Sequence, residues 1–262
     1  MKRLFVLLLC LTMAGCATSP MGRKQLKLLS DDDVQKMGLQ SFDDLKKEAT
    51  ISKDAKANRY VSCVAQAVVA GIPDQYTQRS WEVTLFQSDE ANAFALPGGK
   101  IGVYSGLLKV AKGQDQLAAV IGHEVGHVLA GHSNERMSTQ LVTDTGLSLV
   151  NIATGVTGNS SQLLSLLGVG AQYGVILPFS RVQESEADLI GVDMMARAGF
   201  DPRQSISLWE NMAREAGASP PELLSTHPAP ANRMENLQKR LSVALPLYEQ
   251  ARGLGKHPNC ET

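Results

Sequence analysis

Two histidines and a glutamate fall in the order H-E-x-x-H within residues 120–128, as His123, Glu124 and His127. Residues four apart on a helix share a face, with Cβ atoms roughly 5–6 Å apart, so the two imidazoles can hold one metal ion. Glu124, adjacent to the first histidine, can address a water at that ion and move its proton. That is the layout of a zinc hydrolase. The flanks speak against a surface helix. Leu117, Ala118, Val120, Ile121, Val125, Val128 and Leu129 make the segment apolar nearly all round. Such a helix belongs in a core, where two imidazoles and a carboxylate require partners.

A catalytic zinc takes three protein ligands and keeps one position open, so the third ligand decides the class. The extended motif H-E-x-x-H-x-x-G-x-x-H would require glycine at 130 and histidine at 133, where the chain has Ala130 and Ser133. His132 lies about 140° around the helix from His127, too far to share the ion, and reads as a residue near the negative end of the helix dipole. A carboxylate from a later helix is the alternative. The segment from Ser180 to Asp188 offers Glu184, Glu186 and Asp188. Charge pattern alone does not choose between Glu184 and Glu186.

The elements that must position these groups are mostly helical. Ser30 followed by Asp31, Asp32 and Asp33 is a helix start, with a cap and carboxylates at the positive dipole end, and predicts a helix to about Glu48. Tyr60, Val61, Val64, Ala65 and Val68 form a helical stripe over 53–70, stopped by Gly71-Ile72-Pro73. The period then changes to alternation across 81–86, and the runs 92–96 and 100–104 flank Pro97-Gly98-Gly99 as a hairpin. A short helix over 105–111 precedes the H-E-x-x-H helix from Gln114. Helices are predicted at 138–156, 161–175 and 181–197, after Asp201-Pro202, and after His227-Pro228 to about Leu241. The stretch 145–180 carries no charged residue, but its polar residues and glycines leave neither half with about twenty predominantly apolar residues to span a bilayer. It reads as a helix pair packed on the core, or as a mobile cover over the cleft. The fold class is therefore α+β and mostly α-helical.

The N-terminus reads as an address. Lys2 and Arg3 precede a short apolar run, Leu4 to Leu11, and Met13-Ala14-Gly15-Cys16 resembles a bacterial lipobox whose cysteine is acylated. By resemblance to the sorting rule, Ala17 after that cysteine points to the outer membrane. The expected organisation is a lipoprotein signal over 1–15, a tether over 16–29, the folded domain over 30–248 and a loose tail over 249–262. With Cys10 removed and Cys16 acylated, Cys63 and Cys260 remain in an oxidising compartment, where they form either a disulfide or two separate thiols. A formal net charge of −1, with 19% charged residues, gives no reason to expect nucleic acid as a partner.

The combination H-E-x-G-H followed by S-R-x-x-E-x-E-A-D resembles peptidase family M48, which includes HtpX, the CAAX prenyl proteases and soluble periplasmic lipoprotein members. The resemblance covers about residues 30–245 and implies a zincin-type metallopeptidase domain with a small sheet beside the H-E-x-x-H helix. It implies Glu184 as the third ligand of one zinc ion per chain, Asp188 as the carboxylate that orients a ligand histidine, and Glu186 as structural or solvent-facing. Asn92, Ala93, Phe94 and Ala95 are similar to the family's edge strand, to which an extended polypeptide substrate could add. Ser225-Thr226-His227-Pro228 resembles a segment whose histidine acts as a removable fourth ligand or assists catalysis, with Arg233 in the same wall. The implied function is a zinc metalloendopeptidase of the periplasm, held to the outer membrane by a lipid on Cys16. It would cleave misfolded or unassembled envelope proteins and work beside outer-membrane proteins or their assembly machinery. The alternative is a zinc-containing periplasmic chaperone or binding protein with little or gated proteolysis.

Overall fold

A computed structural model of the chain describes residues 16–76, 80–143, 180–215 and 232–260, together with Leu223 and His227. Its elements run β1 (Cys16–Thr18), β2 (Lys24–Leu26), α1 (Asp31–Glu48), α2 (Ala55–Val69), β3 (Glu82–Phe86), β4 (Ala93–Leu96) and β5 (Lys100–Tyr104). The helices α3 (Leu107–Val110), α4 (Gln114–Leu129), α5 (His132–Thr143), α6 (Arg181–Arg197), α7 (Gln204–Glu215) and α8 (Asn232–Gly253) follow. The architecture is α+β and mostly helical, as the sequence predicts. The signal segment, most of the two helices predicted between 138 and 175, and their reading as a cover lie outside the described residues. Among the described residues, no helix is long and apolar enough to cross a membrane.

The three-stranded sheet has the order β3-β5-β4, with β5 parallel to β3 and antiparallel to β4. Alternation sends its two faces into different cores. Leu85, Ala93, Ala95, Ile101 and Val103 face the main core with α2 and α4. Phe86, Phe94, Leu96 and Tyr104 join Val34, Phe42 and Leu45 of α1 in an aromatic-rich second core. Both faces are thus covered, and α1 is held as an outer layer rather than as a loose lead-in. Its start follows the predicted chemistry, with the Ser30 hydroxyl accepting from the Asp33 N–H.

Helix α4 is buried on nearly every side, because α2, α6, α7 and β4 all pack on it. Its approach to α6 is unusually close. A Cβ added at Gly126 would sit 2.8 Å from the Ala187 carbonyl oxygen, and one at Gly122 would sit 2.8 Å from that of Gly191. A Cβ on Gly191 would meet the His123 backbone nitrogen at 2.6 Å. Small residues facing one another let the two backbones touch, and this contact carries Glu184 and Asp188 up to the histidines of α4.

Two boundaries differ from expectation. The segment expected as a tether instead forms the antiparallel hairpin β1–β2, docked on the end of α4 through Gln25, whose amide donates to the Ala130 carbonyl at 2.7 Å, and followed by Leu28, whose N–H donates to Ser138 of α5. Paired strands and buried side chains replace the predicted linker because Gln25 and Ser19 find polar partners in the domain. The C-terminal tail is also fixed. Helix α8 runs on to Gly253, Gln114 holds Pro258 and Cys260 by hydrogen bonds, and Cys260 is joined to Cys63 of α2 with Cα atoms 5.7 Å apart.

Because the Gly126–Ala187 contact is backbone against backbone, Gly126→Ala should force α6 away from α4. It should lower stability by about 1–3 kcal/mol and weaken metal binding together. Chemical denaturation and metal titration of the same preparation test this; an affinity unchanged from wild type would mean that helix spacing does not set the site.

Candidate metal centre

Four buried groups from α4, α6 and the segment before α8 converge. His123 Nε2 lies 3.0 Å from His127 Nε2 and 3.3 Å from His227 Nδ1. The Glu184 carboxylate lies 3.0 Å from His227 Nδ1 and 3.4 Å from each of the Nε2 atoms of His123 and His127. A tetrahedron with bonds of about 2.0–2.1 Å to its ligands has edges of about 3.3 Å, so these separations suit one zinc ion at the centre. Among the described residues, this set of His123, His127, Glu184 and His227 is the one group able to hold a metal ion. Three imidazole nitrogens and one carboxylate are the donor set that zinc favours. Glu184 is placed at the cluster, whereas Glu186, about 200° further round α6, faces away from it.

The electrostatics are those of a cation site. Burial opposes charge on His123, yet hydrogen bonds with Asp188 and Glu184 raise its pKa to about 9. Burial, with the neighbouring charge of His123, holds His127 well below the ordinary histidine value. Glu184 stays far below the carboxylate range because His227 and His123 outweigh its burial. A metal cation bound by these atoms would compete with a proton for them. Glu124 behaves differently. Burial raises its carboxyl above the usual range, with His227 and His123 offsetting part of the shift, and its Oε1 lies 3.5 Å from His227 Nε2. A carboxyl with raised proton affinity beside a metal site is chemically able to take up and return a proton.

Behind the cluster, Asp188 Oδ1 meets His123 Nδ1 at 3.0 Å and so fixes which nitrogen faces inward. Arg233, only 1% exposed, donates to both Asp188 oxygens at 2.7 and 2.8 Å and pairs with Glu184 at 2.8 Å. It also reaches the His227 carbonyl at 3.3 Å and stacks on Trp209, 4.0 Å from the ring centroid. Sequence reasoning placed Arg233 in the wall and did not foresee that it joins two carboxylates to the His227 backbone. The partnered carboxylates on a neighbouring helix were the available signal.

His132 needs correction. His132 is not at a helix end facing the negative dipole but opens α5, fully buried, with Nδ1 2.9 Å from His127 Nδ1. Glu186 takes the structural of its two expected roles: it is buried and lies 3.2 Å from His132 Nε2. Helix α4 ends at Leu129, and the turn at Gly131, which has positive φ, redirects the chain before His132, which the periodicity of the run did not reveal.

The segment Asn92, Ala93, Phe94, Ala95 lies at the sheet edge on β4, and Asn92 caps it by accepting from the Ala93 N–H. All four residues are buried, and the Ala91 carbonyl accepts from the Leu223 N–H at 3.2 Å. The Leu223 carbonyl in turn accepts from the His227 N–H at 2.8 Å. Cys16 opens strand β1.

The model of peptidase family M48 matches residues 54–241, more than half of the chain. The chain is 36% identical over 189 residues to the mitochondrial metalloendopeptidase OMA1 of Schizosaccharomyces pombe, covering 71% of this chain and 53% of that protein. It is 32% identical over 246 residues to the OMA1 metalloendopeptidase of Bos taurus, covering 87% and 45%. To the beta-barrel assembly-enhancing protease of Escherichia coli it is 29% identical over 239 residues, covering 88% and 48%. The chain therefore spans about half the length of the curated relatives it matches.

Removing the guanidinium in Arg233→Met leaves two buried carboxylates without their counter-charge. Zinc-free Arg233→Met protein should lose about 3–5 kcal/mol of stability in denaturant unfolding; a loss below about 1 kcal/mol would show that the pair is solvated after all.

Proposed function

Since this chain belongs to peptidase family M48, we propose that it is a zinc metalloendopeptidase of the bacterial envelope, with zinc held by His123, His127 and Glu184 and with Glu124 as the general base. The observation that carries this reading is the buried cluster of three imidazoles and one carboxylate with the buried Glu124 carboxyl beside it. When bound, zinc supplies the Lewis acidity that polarises a scissile carbonyl and brings the pKa of water towards about 7. The remaining work belongs to the chain. Glu124 takes a proton from the attacking water and returns it to the departing amine. Asp188, backed by Arg233, holds the ring of His123 while this happens. The β4 edge offers main-chain hydrogen bonds to an extended polypeptide, which selects backbone rather than sequence.

The address supports periplasmic location, with a lipid on Cys16 as the tether to the outer membrane. Misfolded or unassembled envelope proteins fit a backbone-reading site at that address. Similarity to the beta-barrel assembly-enhancing protease of Escherichia coli supports a working context beside outer-membrane assembly.

A second reading rests on His227. Its Nδ1 occupies the fourth corner of the cluster, and its Nε2 points at Glu124. In this conformation the fourth position is filled and the β4 edge is buried, so the protein would rest as a gated peptidase or serve mainly as a zinc-containing binding protein or chaperone.

Glu124→Gln should keep one zinc per chain and lose casein cleavage by about 10²–10⁴-fold. Unchanged cleavage would sink the assignment of the base. His227→Ala should cleave casein faster than wild type if the histidine is a gate. If both wild type and His227→Ala bind zinc yet leave casein intact, the binding-protein reading is favoured.

A further inference from the structure

A second line of buried polar groups starts on His127, leaves the metal cluster on its far side and ends in the N-terminal hairpin. We propose that His132, Glu186 and Arg23 form a positioning chain that fixes the ring of His127 for the metal, which makes hairpin β1–β2 a working part of the metal centre. The inference rests on the zinc reading of the cluster.

The chain follows from donor and acceptor chemistry. His127 turns Nε2 to the cluster and Nδ1 to His132 Nδ1, 2.9 Å away. To coordinate through Nε2, a neutral His127 must carry its proton on Nδ1, and that N–H needs an acceptor. His132 provides one only if its own Nδ1 is unprotonated. Its Nε2 lies 3.2 Å from Glu186 Oε2, a carboxylate that accepts and does not donate, so the His132 proton belongs on Nε2. A doubly protonated His132 would instead set one N–H against another. The carboxylate of Glu186 thus dictates the tautomer of His132, which dictates that of His127.

Glu186 is itself held from outside. Arg23 Nε donates to Glu186 Oε2 at 2.8 Å, while its Nη1 and Nη2 donate to the two Glu135 oxygens at 2.5 and 2.6 Å. Gln183 donates to Glu135 at 2.8 Å, closing the clamp. Arg23 is fixed in the turn between β1 and β2 by hydrogen bonds to the backbone and hydroxyl of Ser19. The two ligand histidines of α4 therefore have matching supports. Asp188 and then Arg233 stand behind His123, and His132, Glu186 and then Arg23 stand behind His127. The hairpin lies outside residues 54–241, the part matched by the family model.

The test compares zinc affinity, by competition with a chromophoric chelator, with thermal unfolding of the zinc-free proteins and the visible spectra of their cobalt-substituted forms. His132→Leu removes the acceptor and should weaken zinc binding by about 10–100-fold. His132→Asn, whose amide oxygen replaces the Nδ1 acceptor, should recover most of that loss. Arg23→Gln should weaken zinc binding in the same direction by a smaller factor and shift the cobalt spectrum, a readout of the His127 ring that a loss of zinc-free stability alone would not move. Wild-type zinc affinity and cobalt spectra in His132→Leu and Arg23→Gln would overturn the proposal and leave the chain as packing alone. Failure of the wild-type protein itself to take up zinc would remove the reading beneath it.

Discussion

The backbone contact between α4 and α6 is the constraint from which the site follows. Side chains on two packed helices ordinarily hold their axes 8–10 Å apart. Here Gly122 and Gly126 on one helix meet Gly191 and Ala187 on the other, so close that no additional Cβ fits. At that spacing Glu184 reaches both histidines of α4, and Asp188, one turn on, reaches the back of His123. A wider spacing would leave the same residues as separate buried charges.

Close packing creates an electrostatic difficulty that the rest of the molecule resolves. Glu124, Glu184, Asp188 and Glu186 are all buried near one another. Buried carboxylates are costly unless each is paired and hydrogen-bonded. Arg233 answers two of them from α8, braced on Trp209 of α7, and Arg23 answers a third from the hairpin. These cations come from opposite ends of the chain, so the metal centre draws in elements well separated from the H-E-x-x-H helix. Glu124 is the exception. Among the described residues its Oε1 has no hydrogen-bond partner, only the His227 Nε2 contact at 3.5 Å, and burial raises its carboxyl above the usual range.

Local signals in the sequence carried much of this. The cap at Ser30, the alternation of β3 and the Pro97-Gly98-Gly99 turn placed elements within a residue or two. His123, Glu124 and His127 were readable because their spacing is itself the chemistry. Glu184 was separable from Glu186 only through family resemblance, since both sit on a helix buried almost all round and neither shows a polar face. The roles of His132, Arg23 and Arg233 were not legible. Each depends on a contact between segments far apart in sequence, such as Arg23 with Glu186 or Arg233 with Glu184. Nor could periodicity show that the hairpin docks, because Gln25 reads as a linker residue until the Ala130 carbonyl is placed beside it.

In the proposed enzyme, one ring links the metal to the base. His227 gives Nδ1 to the cluster and Nε2 to the side of Glu124, so its departure would free the fourth position and the base together. The same segment is hydrogen-bonded through Leu223 to Ala91, beside the start of the β4 edge. Displacing Leu223 would therefore also free the Ala91 carbonyl beside that edge. A polypeptide competing for that edge could open the site by replacing the Leu223 hydrogen bond with its own. Arg233 sets the opposing cost, because it holds the His227 carbonyl while pairing with Glu184 and Asp188. Opening would then depend on how much backbone a substrate presents, which favours unfolded chains over folded ones without any reading of side chains.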